Sequence, residues 1–232
     1  MNHINKHWID EMDSNNKKLS FISSFNDICE MEIVAVLTSW MTNFHYDENY
    51  FIEKFVNEKM QPTPFKFILD YDQMKFQDNN KCFFYTLTNH NLNELLQRIQ
   101  IEILAHGSLK TAYIKNGLTT RKFKHKYAHE TLASMFGGDT GFQTRLAHCA
   151  FYRYNLLFYW LTRKLKIWND VDTSNALIPC NDFVFRSALK HGIIKKPMKS
   201  TLSNAIELTQ IAKDIYGNDN HYELYEKLIS YD

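Results

Sequence analysis

The densest run of cations in the chain is Arg121, Lys122, Lys124 and Lys126, with His125 and His129 beside it. Cations so closely spaced give a polyanion Coulomb attraction and counterion release. The same residues also fit solvated helix faces neutralised in space by acidic flanks. The only clustering of three glycines lies between Met135 and Gly141, at Gly137, Gly138 and Gly141. Glycine there lets the backbone turn tightly and present N–H groups at the next helix N-terminus, an anion site by geometry and dipole. The plainer alternative makes Gly137 a helix C-cap and the rest a turn. His125 and His129 stand four apart, a spacing that can bind metal from one helix face. With no third ligand in view they read as part of a solvated basic face, and no metal or cofactor is expected.

A second group of chemically capable residues follows. Arg153 and Asn155 interrupt the apolar stretch Phe151 to Leu165, and Arg186 stands further on. Polar groups on an apolar helix either tie helices together or line a pocket, because burial demands partners. Tyr152, Tyr154, Tyr159, Trp160 and Trp168 have rings that could stack a base. One helix shows only part of its surface to a pocket, so most of them must be core. Asp182, after Asn181, is a natural N-cap, since its carboxylate accepts from open helix N–H groups.

Charge separates these residues from their surroundings. Residues 1–108 carry 9 Lys/Arg against 15 Asp/Glu, residues 109–200 carry 16 against 5, and residues 201–232 carry 2 against 6. The net charge is only +1. A basic middle third between acidic flanks is nevertheless what a polyanion site needs.

The elements that must position these groups are helical. With 232 residues, 44% of them hydrophobic, the chain can bury a core without metals or disulfides. The four cysteines, Cys29, Cys82, Cys149 and Cys180, form no CxxC pair and are expected to be reduced. Met1 to Asp13 is polar and lacks an apolar leader core, and no apolar run approaches a membrane span. The expectation is a cytoplasmic protein.

Helices are expected over Ile28 to Phe44, around Phe51 to Val56, and after the cap pair Thr63-Pro64. Another should follow Asn91 and Glu94, spaced like a capping box, and stop at Gly107. Phe151 to Leu165 should be a central core helix. Ser200 or Thr201 opens the next, and Asn220 with Glu223 the last. Gly137, Gly192 and Gly217 mark further stops. Cys82 to Leu87 is the only plausible strand. The sum is nine to eleven helices without an internal repeat. They form one domain over residues 1–232, or two lobes, 1–115 and 116–232, crossing near Lys115 to Thr120.

Several segments carry a resemblance. Tyr152-Arg153-Tyr154-Asn155 through Trp160 and Arg163 looks like the Arg-x-Asn-x-x-x-x-Trp-x-x-Arg helix of an uncharacterised bacterial family assigned to the helix-hairpin-helix DNA glycosylase fold. Pro179-Cys180-Asn181-Asp182-Phe183-Val184-Phe185-Arg186 resembles that family's Pro-x-Asp-Thr-His-x-x-Arg segment. It is similar in turn to a segment of endonuclease-III-type enzymes and archaeal 8-oxoguanine glycosylases. Glu32-Ile33-Val34 resembles the family's Asp-x-Glu-Ile helix, and Gly107-Ser108-Leu109 with Ala112-Tyr113 its Gly-Ser-Leu-Glu-x-Ala-Phe turn.

The resemblance implies an all-α, irregular multi-helix, helix-hairpin-helix glycosylase-like fold that binds duplex DNA and recognises damaged or everted bases. The hairpin at Gly137 to Gly141 and the run Arg121 to Lys126 would hold the backbone. Asn155, Asn181, Asp182 and Arg186 would line the base site, and Arg153 is a further nucleic-acid contact. The chain departs from the pattern at the chemistry. Asn181 stands where the superfamily has its Asp, and an amide can neither act as a base nor stabilise a cationic sugar. Tyr152 stands where the Schiff-base lysine is expected. Lys110, in a stretch superficially like the Gly-x-Lys-Thr-Ala helix of endonuclease III, lacks a following Asp at a suitable distance. No cysteine cluster exists for an iron–sulfur centre. DNA N-glycosylase activity is therefore left open, with Asp182 the remaining carboxylate. The alternatives are a helical protein-interaction scaffold that has kept the fold, or an RNA-processing enzyme using the same basic face.

Overall fold

A computed structural model describes residues 15–42, 48–72, 82–84, 87–119, 125–137 and 150–230. Among the described residues the protein is all-helical apart from one short two-stranded ladder. The helices are α1 (15–22), α2 (Ile28–Met41), α3 (Glu48–Lys59), α4 (Pro64–Leu69), α5 (Asn89–His106), α6 (Leu109–Thr119), α7 (Ala128–Phe136), α8 (Tyr152–Tyr159), α9 (Asp182–Lys190), α10 (Leu202–Tyr216) and α11 (Tyr222–Ser230). Strands β1 (Cys82–Phe84) and β2 (Leu87–Thr88) pair antiparallel, with Cys82 opposite Thr88. The expected strand segment, Cys82 to Leu87, thus takes in β1 and the first residue of β2.

The chain forms two compact units. The N-terminal unit comprises Lys18–Lys126 and Glu130–Gln143; the C-terminal unit comprises Thr144–Asp232 with Met1–Lys17 and Tyr127–His129. This division differs from lobes meeting at 115/116. Lys115 lies within the continuous helix α6, where a polar, solvent-facing stretch imitates a linker.

In the N-terminal unit, α2 is buried along its last ten residues, from Glu32 to Met41, and packs on α3, α4 and α6. Asp27 caps it, accepting from the Cys29 and Glu30 N–H groups. Thr63 caps α4 with Pro64 at its first turn, as expected. The α5 capping box lies three residues earlier than expected. Thr88 is the cap and Asn91 its reciprocal partner, so Asn91 is the third helical residue. Gly107 ends α5 in the left-handed region, φ 82°.

The Gly107 turn brings two resembling segments together. Glu32 is 1% exposed, and its two carboxylate oxygens accept from the Leu109 N–H at 2.9 Å and the Lys110 N–H at 3.1 Å. The Ser108 hydroxyl accepts from the Thr111 N–H at 3.1 Å. Three N–H groups that α6 cannot satisfy internally are thus occupied, two of them by a carboxylate distant in sequence.

The C-terminal unit is built on α8, every residue of which is buried, and its continuation as one π-helical turn, Trp160–Lys164. Tyr152, Tyr154, Tyr159, Trp160 and Trp168 are all core. Helix α11 packs against α9 and α10. The Ser187 hydroxyl of α9 donates to the Leu228 carbonyl of α11 at 2.8 Å. Thr201 caps α10 and Gly217 closes it, φ 83°. Among the described residues, no helix is long and apolar enough to cross a membrane.

Candidate nucleic-acid interface

Helix α9 is positioned from both sides of its start. The lead-in Ala176–Cys180 is buried throughout. The Ile178 N–H donates to the Thr209 hydroxyl of α10 at 3.1 Å. Ser200, just ahead of α10, donates its hydroxyl to the Cys180 carbonyl at 3.1 Å. The starts of α9 and α10 are therefore pinned side by side.

Asn181 is the cap of α9: its Oδ1 accepts from the Val184 N–H at 3.0 Å. This corrects the expectation for Asp182. Both residue types can cap, and the residue with extended backbone ahead of the first turn, φ −119° and ψ −179°, takes the role. Asp182 instead lies in the first turn and is exposed. A carboxylate there is favoured by the helix dipole and is open to solvent or a ligand. Arg186, one turn on, is exposed and donates its Nε–H to the Asp182 carbonyl at 3.2 Å. Burial pushes the Cys180 thiol well above its usual range, so the cysteine next to the cap is no nucleophile.

Beyond Arg186 the surface becomes strongly cationic. Lys190, Lys195, Lys196 and Lys199 are exposed and make no ion pair among the described residues. No Asp or Glu occurs from Phe183 to Ile206. Gly192 turns the chain at φ 69°, between α9 and the lysine loop. Sequence reading passed over these lysines in favour of the denser run upstream. The length of their acid-free interval was the available signal.

The basic residues on the π-helical turn behave differently. Arg163 pairs with Glu223 at 2.6 Å and Lys164 with Glu226 at 3.0 Å, both acids on α11. Glu226 also accepts from the Tyr159 hydroxyl at 2.9 Å, and burial with that carboxylate pushes the phenol pKa up. The acidic C-terminal segment thus neutralises the π-turn cations, whereas the lysines at and after the end of α9 make no ion pair among the described residues.

Other expected site residues fall into three groups. Arg121, Lys122, Lys124, Gly138 and Gly141 lie outside the described residues. Lys126 is exposed and Gly137 is buried directly after α7; both belong to the N-terminal unit. Arg153 and Asn155 are buried on α8, 7% and 1% exposed, and the Asn155 amide donates to the Ala150 carbonyl at 2.9 Å.

The two histidines do not share a helix face. His125 precedes α7, whereas His129 is buried in its first turn, stacked on Phe151 at 4.5 Å and on Tyr127 at 5.6 Å. The reading of His129 as part of a solvated basic face is corrected: the tyrosine and phenylalanine rings take it into the core. Among the described residues no cluster of three potential metal ligands occurs.

A family model described as "Protein of unknown function (DUF2400)" matches residues 18–221. No curated protein and no solved structure matches the chain.

Proposed function

The chain belongs to that family, whose function is unknown, and from this premise we propose that it is a DNA-binding protein of base-excision-repair type, with a helix-hairpin-helix glycosylase-like fold and a cytoplasmic location. One observation carries the reading: four exposed lysines, with no ion pair among the described residues, run from the last residue of α9 toward the start of α10 in an acid-free interval. Such a face attracts phosphate by Coulomb force and counterion release, without reading sequence. Asn181 sets the helix start, and Asp182 and Arg186 stand exposed on the first two turns, where a damaged or everted base is to be met. If an N-glycosidic bond is cleaved there, Asp182 is the carboxylate to carry it, because the Asn181 amide is uncharged and engaged as the cap.

Fluorescence anisotropy with undamaged and abasic-analogue duplexes across a salt series tests the reading. Binding should weaken steeply with salt and favour the abasic analogue. Changing Lys190, Lys195, Lys196 and Lys199 to Gln should reduce the slope of log K against log salt by up to about 0.9 for each lysine that meets a phosphate. An unchanged slope would remove this face from the interface. If binding is preserved, base release from damaged duplexes by the wild type, lost in Asp182→Asn, would assign the chemistry.

One observation favours a protein-binding scaffold instead. Ile101 and Leu104, 61% and 64% exposed, stand one turn apart on α5. Absence of DNA binding at low salt would move the function to that reading.

A further inference from the structure

The turn between α10 and α11 buries a group that can take up charge. Gly217 closes α10, and residues 217–220 are exposed, but the next residue, His221, is 0% exposed. A carbonyl only accepts, so the 2.7 Å contact between Nδ1 and the Asn218 carbonyl oxygen places the ring proton on Nδ1. Nε2 then carries the lone pair, and it is buried with no hydrogen-bond partner among the described residues. The ring lies against Tyr222, 4.3 Å between centroids, and Tyr222 lies against Tyr159 of α8 at 5.0 Å. The His221 carbonyl accepts from the Leu224 N–H at 3.3 Å, and Glu223 between them pairs with Arg163. The seat of the imidazole and the first turn of α11 are thus one piece of structure.

A second proton on this ring would be poorly housed. It would add an N–H at Nε2 with no acceptor, and it would bury a cation that two others face: Lys213 from α10 and Arg163 from the π-helical turn. Asp219, in the exposed turn itself, is the opposing charge. From α11 the ring meets Tyr222, and the carboxylate beyond it, Glu223, is engaged by Arg163. Lys213 is tethered as well, its Nζ donating to the Ser174 carbonyl at 2.6 Å, so neither cation withdraws without breaking a bond. Once the turn opens, the imidazole meets water and takes its proton with ordinary affinity. The closed turn refuses the proton that the open turn accepts, so acid favours opening.

We propose that His221 is a proton-sensitive latch: neutral, it holds the α10–α11 turn and the first turn of α11 closed on α8, and protonated, it lets that segment swing into water while the rest of the C-terminal unit stays folded. Opening withdraws Tyr222 from Tyr159 and parts Glu223 from Arg163, so a guanidinium on the π-helical turn is uncovered as pH falls. The far end of α11 stays anchored. Glu226 keeps Lys164 and the Tyr159 hydroxyl, and the carbonyl of the buried Leu228 keeps the Ser187 hydroxyl. The latch does not depend on whether the chain binds DNA.

Residue-resolved hydrogen exchange of the full chain tests it. The reporters are the Glu223 and Leu224 amides, bonded to the Asn220 and His221 carbonyls at 2.9 and 3.3 Å. Their protection factors, which divide out the intrinsic pH dependence of exchange, should fall by up to about tenfold per pH unit below about pH 6.5. Urea separates the latch from unfolding of the whole unit. Local opening exposes little surface, so about 0.5 M urea should leave the reporters' exchange unchanged while it speeds that of the α8 amides. His221→Asn, which keeps a donor to the Asn218 carbonyl and has no titrating ring, should make the reporters' protection independent of pH over the same range. The wild-type pH and urea series decide the matter even where that variant does not fold. Protection unchanged between about pH 7 and pH 5, reporter exchange as urea-sensitive as that of α8, or a pH dependence retained in folded His221→Asn overturns the proposal.

Discussion

Glu32→Gln is a nearly isosteric change that should destabilise the N-terminal unit far more than its size suggests. Each carboxylate oxygen takes one backbone N–H of α6, from Leu109 and from Lys110. Glutamine keeps one acceptor and sets an NH2 group against the other N–H. One charge-assisted bond, worth about 1.5–3 kcal/mol, is lost, and the surviving bond becomes a neutral one, weaker by about 1 kcal/mol. Loss of the charge at the positive end of the α6 dipole acts in the same direction. The expected total is about 2–4 kcal/mol. With a urea dependence of about 2–3 kcal/mol per molar, the midpoint followed by circular dichroism should fall by roughly 1 M. Ser108→Ala, which removes the local cap bond to Thr111, should cost only about 1 kcal/mol. A Glu32→Gln midpoint within about 0.2 M of wild type, or below a tenth of the unfolding free energy for a domain of ordinary stability, would refute the claim that this carboxylate anchors α6.

Two further expectations follow from the C-terminal unit. Asn181→Ala should lower stability by about 1 kcal/mol through loss of the cap, whereas Asn181→Asp, which can accept from the same Val184 N–H, should stay within about 0.5 kcal/mol in thermal denaturation. Equal effects of the two substitutions would contradict the capping geometry. His221 is fully buried, with Nδ1 at 2.7 Å from the Asn218 carbonyl oxygen, and burial, reinforced by Lys213 and Arg163, holds its pKa below the usual value. The unfolded chain therefore binds a proton that the folded chain refuses, so this group's contribution is fully present above about pH 6.5 and declines as pH falls below it. His221→Asn, whose amide can still donate to the Asn218 carbonyl, should flatten the acid limb of stability by up to about 1.4 kcal/mol per pH unit. An unaltered limb would show that His221 is not held neutral.

Local signals carried much of the fold into the sequence. Thr63-Pro64, Gly107 and Gly217 marked helix ends through backbone preferences that act within a turn. The mostly apolar stretch after Phe151, interrupted by Arg153 and Asn155, marked the central helix because burial on all sides leaves no polar face. Errors arose where neighbouring residues were equally competent. Thr88 and Asn91 can each open a helix, and so can Asn181 and Asp182; only the backbone path selects between them. Long-range pairings left no local trace at all. Nothing around Glu32 announces that its partners are the N–H groups of Leu109 and Lys110, and nothing around Arg163 announces Glu223. The lysine face was hidden for the same reason. Its cations are no denser than those of the π-helical turn, and they differ in making no ion pair among the described residues.

That partition of charge has a practical consequence at the bench. A protein with a formal net charge of +1 ought to pass through a cation-exchange column at neutral pH with little retention. Adsorption to a charged matrix is governed by the patch that faces it, because fields from distant groups are screened within about 10 Å at ordinary salt. Lys190, Lys195, Lys196 and Lys199 present such a patch, so the chain should be retained on a sulfonate resin and elute only as salt rises.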